Sequence, residues 1–206
     1  MNKIRVLIAD DHAIVRMGLV ALLNTDADIE VVGEAEDGLA AIERTCALHP
    51  DVIVMDLMMP VMDGATAIAA IRVKAPESKV LVLTTSTVSD DLSRALKAGA
   101  VGALTKSTTN ERLLDIIKII AKGERCIDPS ITDIIKTDPP APLLTDRQSE
   151  ILSYVVRGFT NADIARCLGI TVCSVKERLT SVYAKIGVAN RAEAVALALK
   201  KHLLKM

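Results

Sequence analysis

The chain has 206 residues and half are hydrophobic, which supports a packed core and excludes a wholly disordered segment. Only Tyr154, Phe159 and Tyr183 are aromatic, which excludes a base-stacking platform for single-stranded nucleic acid. The net charge of −1 conceals an asymmetry: residues 1–138 carry 15 basic and 21 acidic side chains, residues 139–206 carry 10 and 5. The acidic part suits a cation and the basic part a polyanion.

The first residues lack the apolar run of a signal peptide, and no stretch reaches the ~18 apolar residues of a membrane span. A cytoplasmic protein without membrane contact is expected. Cys46, Cys126, Cys167 and Cys173 form no CxxC pair and no metal-ligand spacing, so they read as ordinary small residues.

Short β-branched runs then alternate with helical patterns. Strands are predicted over 4–9, 29–33, 52–55, 80–84 and 100–104. Several are continuous apolar runs, as in strands buried on both faces of a parallel sheet. Helices are predicted over 14–23, 38–48, 65–73, 90–98 and 110–121. The last sets Leu113, Ile116, Ile117 and Ile120 on one stripe. Five such repeats predict an α/β doubly wound, five-stranded parallel sheet over residues 1–123.

Asp128-Pro129 and Pro139-Pro140-Ala141-Pro142 then break the pattern. A linker is expected over 124–142, with a short helix near 131–135. Residues 143–206 hold no strand pattern. They read as a small all-α domain of four helices, over 146–157, 161–168, 172–186 and 191–202, with turns at Gly158, Gly169 and Gly187.

Strand ends carry the chemistry. Asp10 and Asp11 follow the first strand, Asp56 the third, Thr84 ends the fourth, and Lys106 follows the fifth. A parallel sheet brings those ends to one edge. Three carboxylates in one place oppose each other's ionisation, and a divalent cation relieves this. Mg2+ prefers oxygen ligands, with one or two carboxylates and a phosphate. Asp56 can then attack phosphorus, with Lys106 neutralising the transferring oxygens and the Thr84 hydroxyl donating to one of them.

These residues sit in the runs Leu-Ile-Ala-Asp-Asp-His, Val-Met-Asp-Leu-Met-Met-Pro-Val-Met-Asp-Gly, Val-Leu-Thr-Thr and Lys-Ala-Gly-Ala-Val-Gly-Ala-Leu-Thr-Lys. Over residues 1–122 the chain resembles the flavodoxin-like receiver domain of two-component response regulators. The resemblance implies Asp56 as phosphoacceptor and a sensor histidine kinase as donor. It implies Mg2+ on Asp11 and Asp56 directly, on Asp10 through water, and on the Met58 backbone carbonyl. Thr84 becomes the switch hydroxyl and Lys106 the phosphate partner. The pattern departs at Ala103, where receivers often carry an aromatic, and at Met58, which cannot orient a water for hydrolysis.

Thr145 with Gln148 forms a capping-box pattern, and two helices around Gly169 read as a helix-turn-helix. Val175, Leu179, Val182 and Ile186 make the inward stripe of the second helix. Lys176, Glu177 and Thr180 fall outward, and Arg178 and Lys185 add charge, so these five are the candidate DNA contacts. Residues 143–204 resemble the LuxR-type helix-turn-helix domain of NarL/FixJ regulators. That implies a recognition helix over 172–186 and a dimer contact at Val195 and Leu199. Cys173 and Glu177 depart from the usual basic or neutral residues, so fewer phosphate contacts are expected.

Together these readings predict a phosphorylation-dependent transcriptional regulator rather than an enzyme, with a homodimer on phosphorylation and double-stranded DNA as target. The alternative is a response regulator acting through protein contacts without DNA binding. An aspartyl phosphatase is disfavoured, because Met58 stands where such enzymes place a second acid.

Overall fold

The computed structural model describes residues 3–86 and 88–204. The chain divides into two compact units, residues 1–138 and 139–206. Among the described residues no helix is long and apolar enough to cross a membrane.

Unit one is built on strands β1 (Ile4–Ala9), β2 (Ile29–Ala35), β3 (Val52–Met55), β4 (Lys79–Thr84), β5 (Gly102–Thr105) and β6 (Cys126–Ile127). All pair in parallel, in the order β2-β1-β3-β4-β5-β6. The helices are α1 (Ala13–Leu23), α2 (Gly38–Leu48), α3 (Gly64–Lys74), α4 (Ser89–Ala98), α5 (Asn110–Ala121) and α6 (Pro129–Thr137).

Side-chain alternation splits the core into two layers. Leu7, Ile53, Met55, Val80 and Val82 pack with Ala41, Ile68, Ile71 and Leu92 of α2, α3 and α4. Val6, Ile8, Val52, Val54 and Leu81 pack with Leu19, Leu23, Leu113 and Ile117 of α1 and α5. Both faces are thus covered, which explains the apolar runs Val6–Ala9 of β1 and Val52–Met55 of β3. Asp37, Asp63 and Thr109 cap α2, α3 and α5 by accepting from backbone N–H groups.

The sequence-based linker over 124–142 is corrected here, and so is the strand count. Cys126 and Ile127 pair with Gly102 and Ala103 as a sixth strand. Ile131 of α6 is fully buried in the layer that holds Leu92 and Ala103. Asp128-Pro129 starts this helix rather than breaking the chain: Asp128 accepts from the Ser130 N–H, and Pro129 occupies the first turn. A two-residue strand offers no periodicity to read. Its crossover is also unusual. The α5 helix lies in the α1 layer, whereas α3 and α4 cross on the other face, so β5-α5-β6 has the rarer hand.

Unit two consists of α7 (Asp146–Val156), α8 (Asn161–Leu168), α9 (Val172–Ile186) and α10 (Arg191–Lys200). Thr145 and Thr160 head capping boxes with Gln148 and Asp163. Gly169 and Gly187 close α8 and α9 in the left-handed region, which glycine adopts without a Cβ penalty. Ile151, Leu152, Ile164, Val175, Leu179, Val182 and Ala194 form the core. The Arg191 guanidinium donates to the carbonyls of Val155 and Phe159, fixing α10 against the end of α7.

Candidate functional site

The carboxyl ends of the parallel strands gather the expected residues. Asp10 and Asp56 are buried, at 1% and 4% exposure, and Asp11 is half-buried. Their backbones extend the ladder: Asp10 N–H donates to Ala35, Asp56 N–H to Ala9, and Lys106 N–H to Thr84. The Lys106 ammonium donates to Asp10 Oδ2 at 2.5 Å and to Asp56 Oδ2 at 2.9 Å. Asp56 Oδ1 accepts from Leu57 N–H at 2.7 Å, and Asp10 Oδ1 from His12 N–H at 2.8 Å. Burial alone lowers the Lys106 pKa, but its hydrogen bonds to Asp10 and Asp56, aided by their charges, hold it above the ordinary lysine value.

Thr84 ends β4 on the same edge and is fully buried. Its hydroxyl oxygen accepts from Ser86 N–H at 3.0 Å. Ser86 Oγ in turn accepts from Val88 N–H at 3.2 Å, and Val88 is the N-cap residue of α4. A short relay therefore runs from Thr84 to the start of α4.

The donor set suits a hard cation. One ligand atom from each of Asp10, Asp11, His12 and Asp56 lies within 4.8 Å of the others. Three carboxylates face one ammonium, leaving excess negative charge. Asp11 Oδ1 is buried without a hydrogen-bond partner, although His12 Nδ1 stands 2.7 Å away. A buried carboxylate oxygen whose one close polar neighbour is an imidazole nitrogen fits a Mg2+ ligand. His12 was missed by the sequence reading; its one signal was adjacency to Asp10-Asp11. The Met58 side chain is exposed in the loop after β3.

That loop is strained and pinned. Val61 adopts φ 63°, and Met62 N–H donates back to the Pro60 carbonyl at 2.6 Å, a tight turn that a β-branched residue disfavours. Gly64 N–H donates to Leu57 O, and a Cβ on Gly64 would lie 2.2 Å from the Asp56 carbonyl oxygen. Only glycine lets the loop fold this closely behind Asp56.

Asp63 ties the loop to two helices. Its Oδ1 accepts from Thr66 N–H, capping α3, and both its oxygens accept from the Arg94 guanidinium of α4 at 3.1 and 3.0 Å. Burial raises the Asp63 pKa, but the Thr66 N–H and Arg94 outweigh it and leave the carboxyl below its ordinary value. A depressed pKa stabilises the fold above the unfolded value, and that contribution is lost as pH falls through the folded one. Asp63→Asn keeps the cap but removes the charge. It should lower stability to urea at neutral pH, and the deficit should shrink below about pH 4. A deficit independent of pH would contradict this.

The second candidate surface is on α9. Val175, Leu179 and Val182 point into the core, leaving Lys176, Glu177, Arg178 and Thr180 exposed together. The Thr180 hydroxyl donates to the Lys176 carbonyl at 2.9 Å, and Cys173 Sγ lies 3.8 Å from Glu177 Oε1. Lys185 does not join this face. It is half-buried, and its ammonium donates to Gln148 Oε1 at 2.8 Å, fastening α9 to the capping box of α7.

Comparison with known proteins agrees with both units. Residues 6–118 match the response regulator receiver domain, and residues 142–198 match the bacterial regulatory proteins of the luxR family. The response regulator protein VraR of Staphylococcus aureus is 35% identical over 206 residues, covering 98% of this chain and 99% of VraR. The solved response regulator ChrA, from a heme-sensing two-component system, has a TM-score of 0.60 at 35% identity over 99% of this chain and 100% of ChrA. RcsB of Salmonella enterica serovar Typhimurium, solved on a promoter with a phosphomimetic, has a TM-score of 0.69 at 28% identity, covering 97% and 99%. With an α/β receiver followed by a helical LuxR-type domain, the chain belongs to the NarL/LuxR family of two-component response regulators.

Proposed function

We propose that this response regulator is a phosphorylation-gated, DNA-binding transcription factor in the cytoplasm. The observation that carries the proposal is the Lys106 ammonium held between Asp10 and Asp56, with Asp11 and His12 clustered beside them. A carboxylate oxygen of Asp56 attacks the phosphorus of a phosphohistidine on a sensor kinase. A P–O bond forms, the P–N bond breaks, and the imidazole leaves with the electron pair. Asp11, Asp56 and the Met58 carbonyl would hold Mg2+, with Asp10 acting through water; the bound ion would neutralise charge on the phosphoryl oxygens.

Lys106 is placed to follow the new charge, because one of its two partners, Asp56, is the carboxylate that takes the phosphoryl group. Thr84 follows by turning its hydroxyl to a phosphoryl oxygen, which loosens Ser86 N–H and so the start of α4. Ala103 is buried beside β6, so no aromatic swings inward at that position. The Thr84–Ser86–Val88 relay and the Asp63–Arg94 contact carry the shift to α4 instead. The altered surface favours a homodimer, whose paired α9 helices meet a two-fold duplex site.

Lys176 and Arg178 supply phosphate contacts through α9. Glu177 can accept from cytosine N4 but repels phosphate. Each of Lys176→Ala and Arg178→Ala should weaken duplex binding and flatten the log K against log salt slope by roughly 0.9 per site. Lys185→Ala should leave the slope unchanged and lower the melting temperature of unit two. An unchanged slope in both of the first two variants would refute the placement of this interface.

A further inference from the structure

At the opposite end of the sheet from Asp56 lies a cavity of about 330 Å³, bounded by α3, α4, the start of β4 and the segment entering β6. Lys79 begins β4 and Thr84 ends it, so the cavity is roughly 17 Å from the carboxylate edge at the usual strand rise. Ile71, Val80 and Leu96 give it an apolar wall. Arg72, Lys79 and Arg125 give it three positive charges, from three separate elements. Among the described residues no acidic side chain lines it.

Among the described residues some cations of unit one are paired and others, such as Arg44, Lys74 and Lys97, are not. Arg16, Arg94, Arg112, Lys106 and Lys118 each have a carboxylate partner. Among the described residues Arg72, Lys79 and Arg125 have none, although Glu77 and Glu124 are close in sequence. Arg72 sits in the last turn of α3, where the helix dipole favours a cation. That reason does not extend to Lys79 or Arg125. Arg72 is also aimed: Gly99 takes φ 122°, and a Cβ there would lie 2.7 Å from Arg72 Cδ, so the side chain crosses the bare glycine. Ser78 Oγ donates to the Pro50 carbonyl and leaves ligand recognition to the cations.

Arg72 and Arg125 are exposed and Lys79 is half-buried, so their mutual repulsion is weak, but three like charges still surround one hollow whose apolar wall gains nothing from water. An anion with an apolar body answers both. We propose that this cavity binds a small organic anion, with a phosphate or carboxylate head between Arg72, Lys79 and Arg125 and an apolar body against Ile71, Val80 and Leu96. The volume is at the small end of ligand pockets, which limits the body to about one or two rings.

The test is titration calorimetry of the full chain without Mg2+, using naphthyl phosphate as probe and inorganic phosphate and naphthol as controls. Naphthyl phosphate should bind saturably and at least tenfold more tightly than either control. Arg72→Ala combined with Arg125→Ala should weaken it at least tenfold, with circular dichroism confirming the fold. Lys106→Ala, at the far edge, should not change it. No saturable binding, binding that survives the double substitution, or loss with Lys106→Ala would each overturn the proposal.

Discussion

Asp56→Ala is expected to accept no phosphoryl group from a small acyl-phosphate donor with Mg2+, under conditions that label the native chain stoichiometrically. Asp56 is the one carboxylate of the cluster at the end of β3, with Oδ1 held by Leu57 N–H and Oδ2 by Lys106. Asp10 has the same lysine contact but also accepts from His12 N–H, and the resemblance gives it a metal-side role. The loss should be complete and should not reflect unfolding, because Asp10 still partners Lys106 in the variant. Thermal unfolding measured alongside separates the two causes. Persistent stoichiometric labelling would move the acceptor to another residue and remove the proposed mechanism.

Ile131→Ala is expected to destabilise unit one by about 2–5 kcal/mol, the usual range for emptying a core isoleucine site. Ile131 is fully buried against the layer that holds Leu92 and Ala103, although it lies in what the sequence reads as linker. A linker side chain would cost within roughly 0.5 kcal/mol. Urea unfolding of the full chain, followed by a probe in unit one, distinguishes the two. A change near zero would return residues 129–137 to the linker.

Most of unit one was legible because its strands are long enough to show their environment. The β3 run is apolar at every position and the β1 run from Val6 on, and the structure covers both faces of each. The helices of unit two were equally clear, since Thr145 caps the first and Gly158, Gly169 and Gly187 separate them; the structure adds Thr160 and Asn190 as caps. The β6–α6 segment was hidden by its two-residue strand and by a proline that reads as a breaker unless Asp128 is seen as a cap. Three-dimensional pairings escaped for a different reason. Asp63 with Arg94, and Gln148 with Lys185, are 31 and 37 residues apart, and no local pattern joins them. Lys185 followed helix periodicity as a surface charge, but α7 stands in its way. Output by protein contact alone, which Glu177 and Cys173 had supported, loses ground to the LuxR-type match over residues 142–198.

The central claim is that phosphorylation at Asp56 gates DNA binding by α9. Selection from a random duplex pool, with Mg2+ and an acyl-phosphate donor, tests it when native chain and Asp56→Ala are run side by side. The native chain should enrich a two-fold motif and the variant should not. Equal enrichment by both, or none by a chain demonstrably phosphorylated on Asp56, would contradict it.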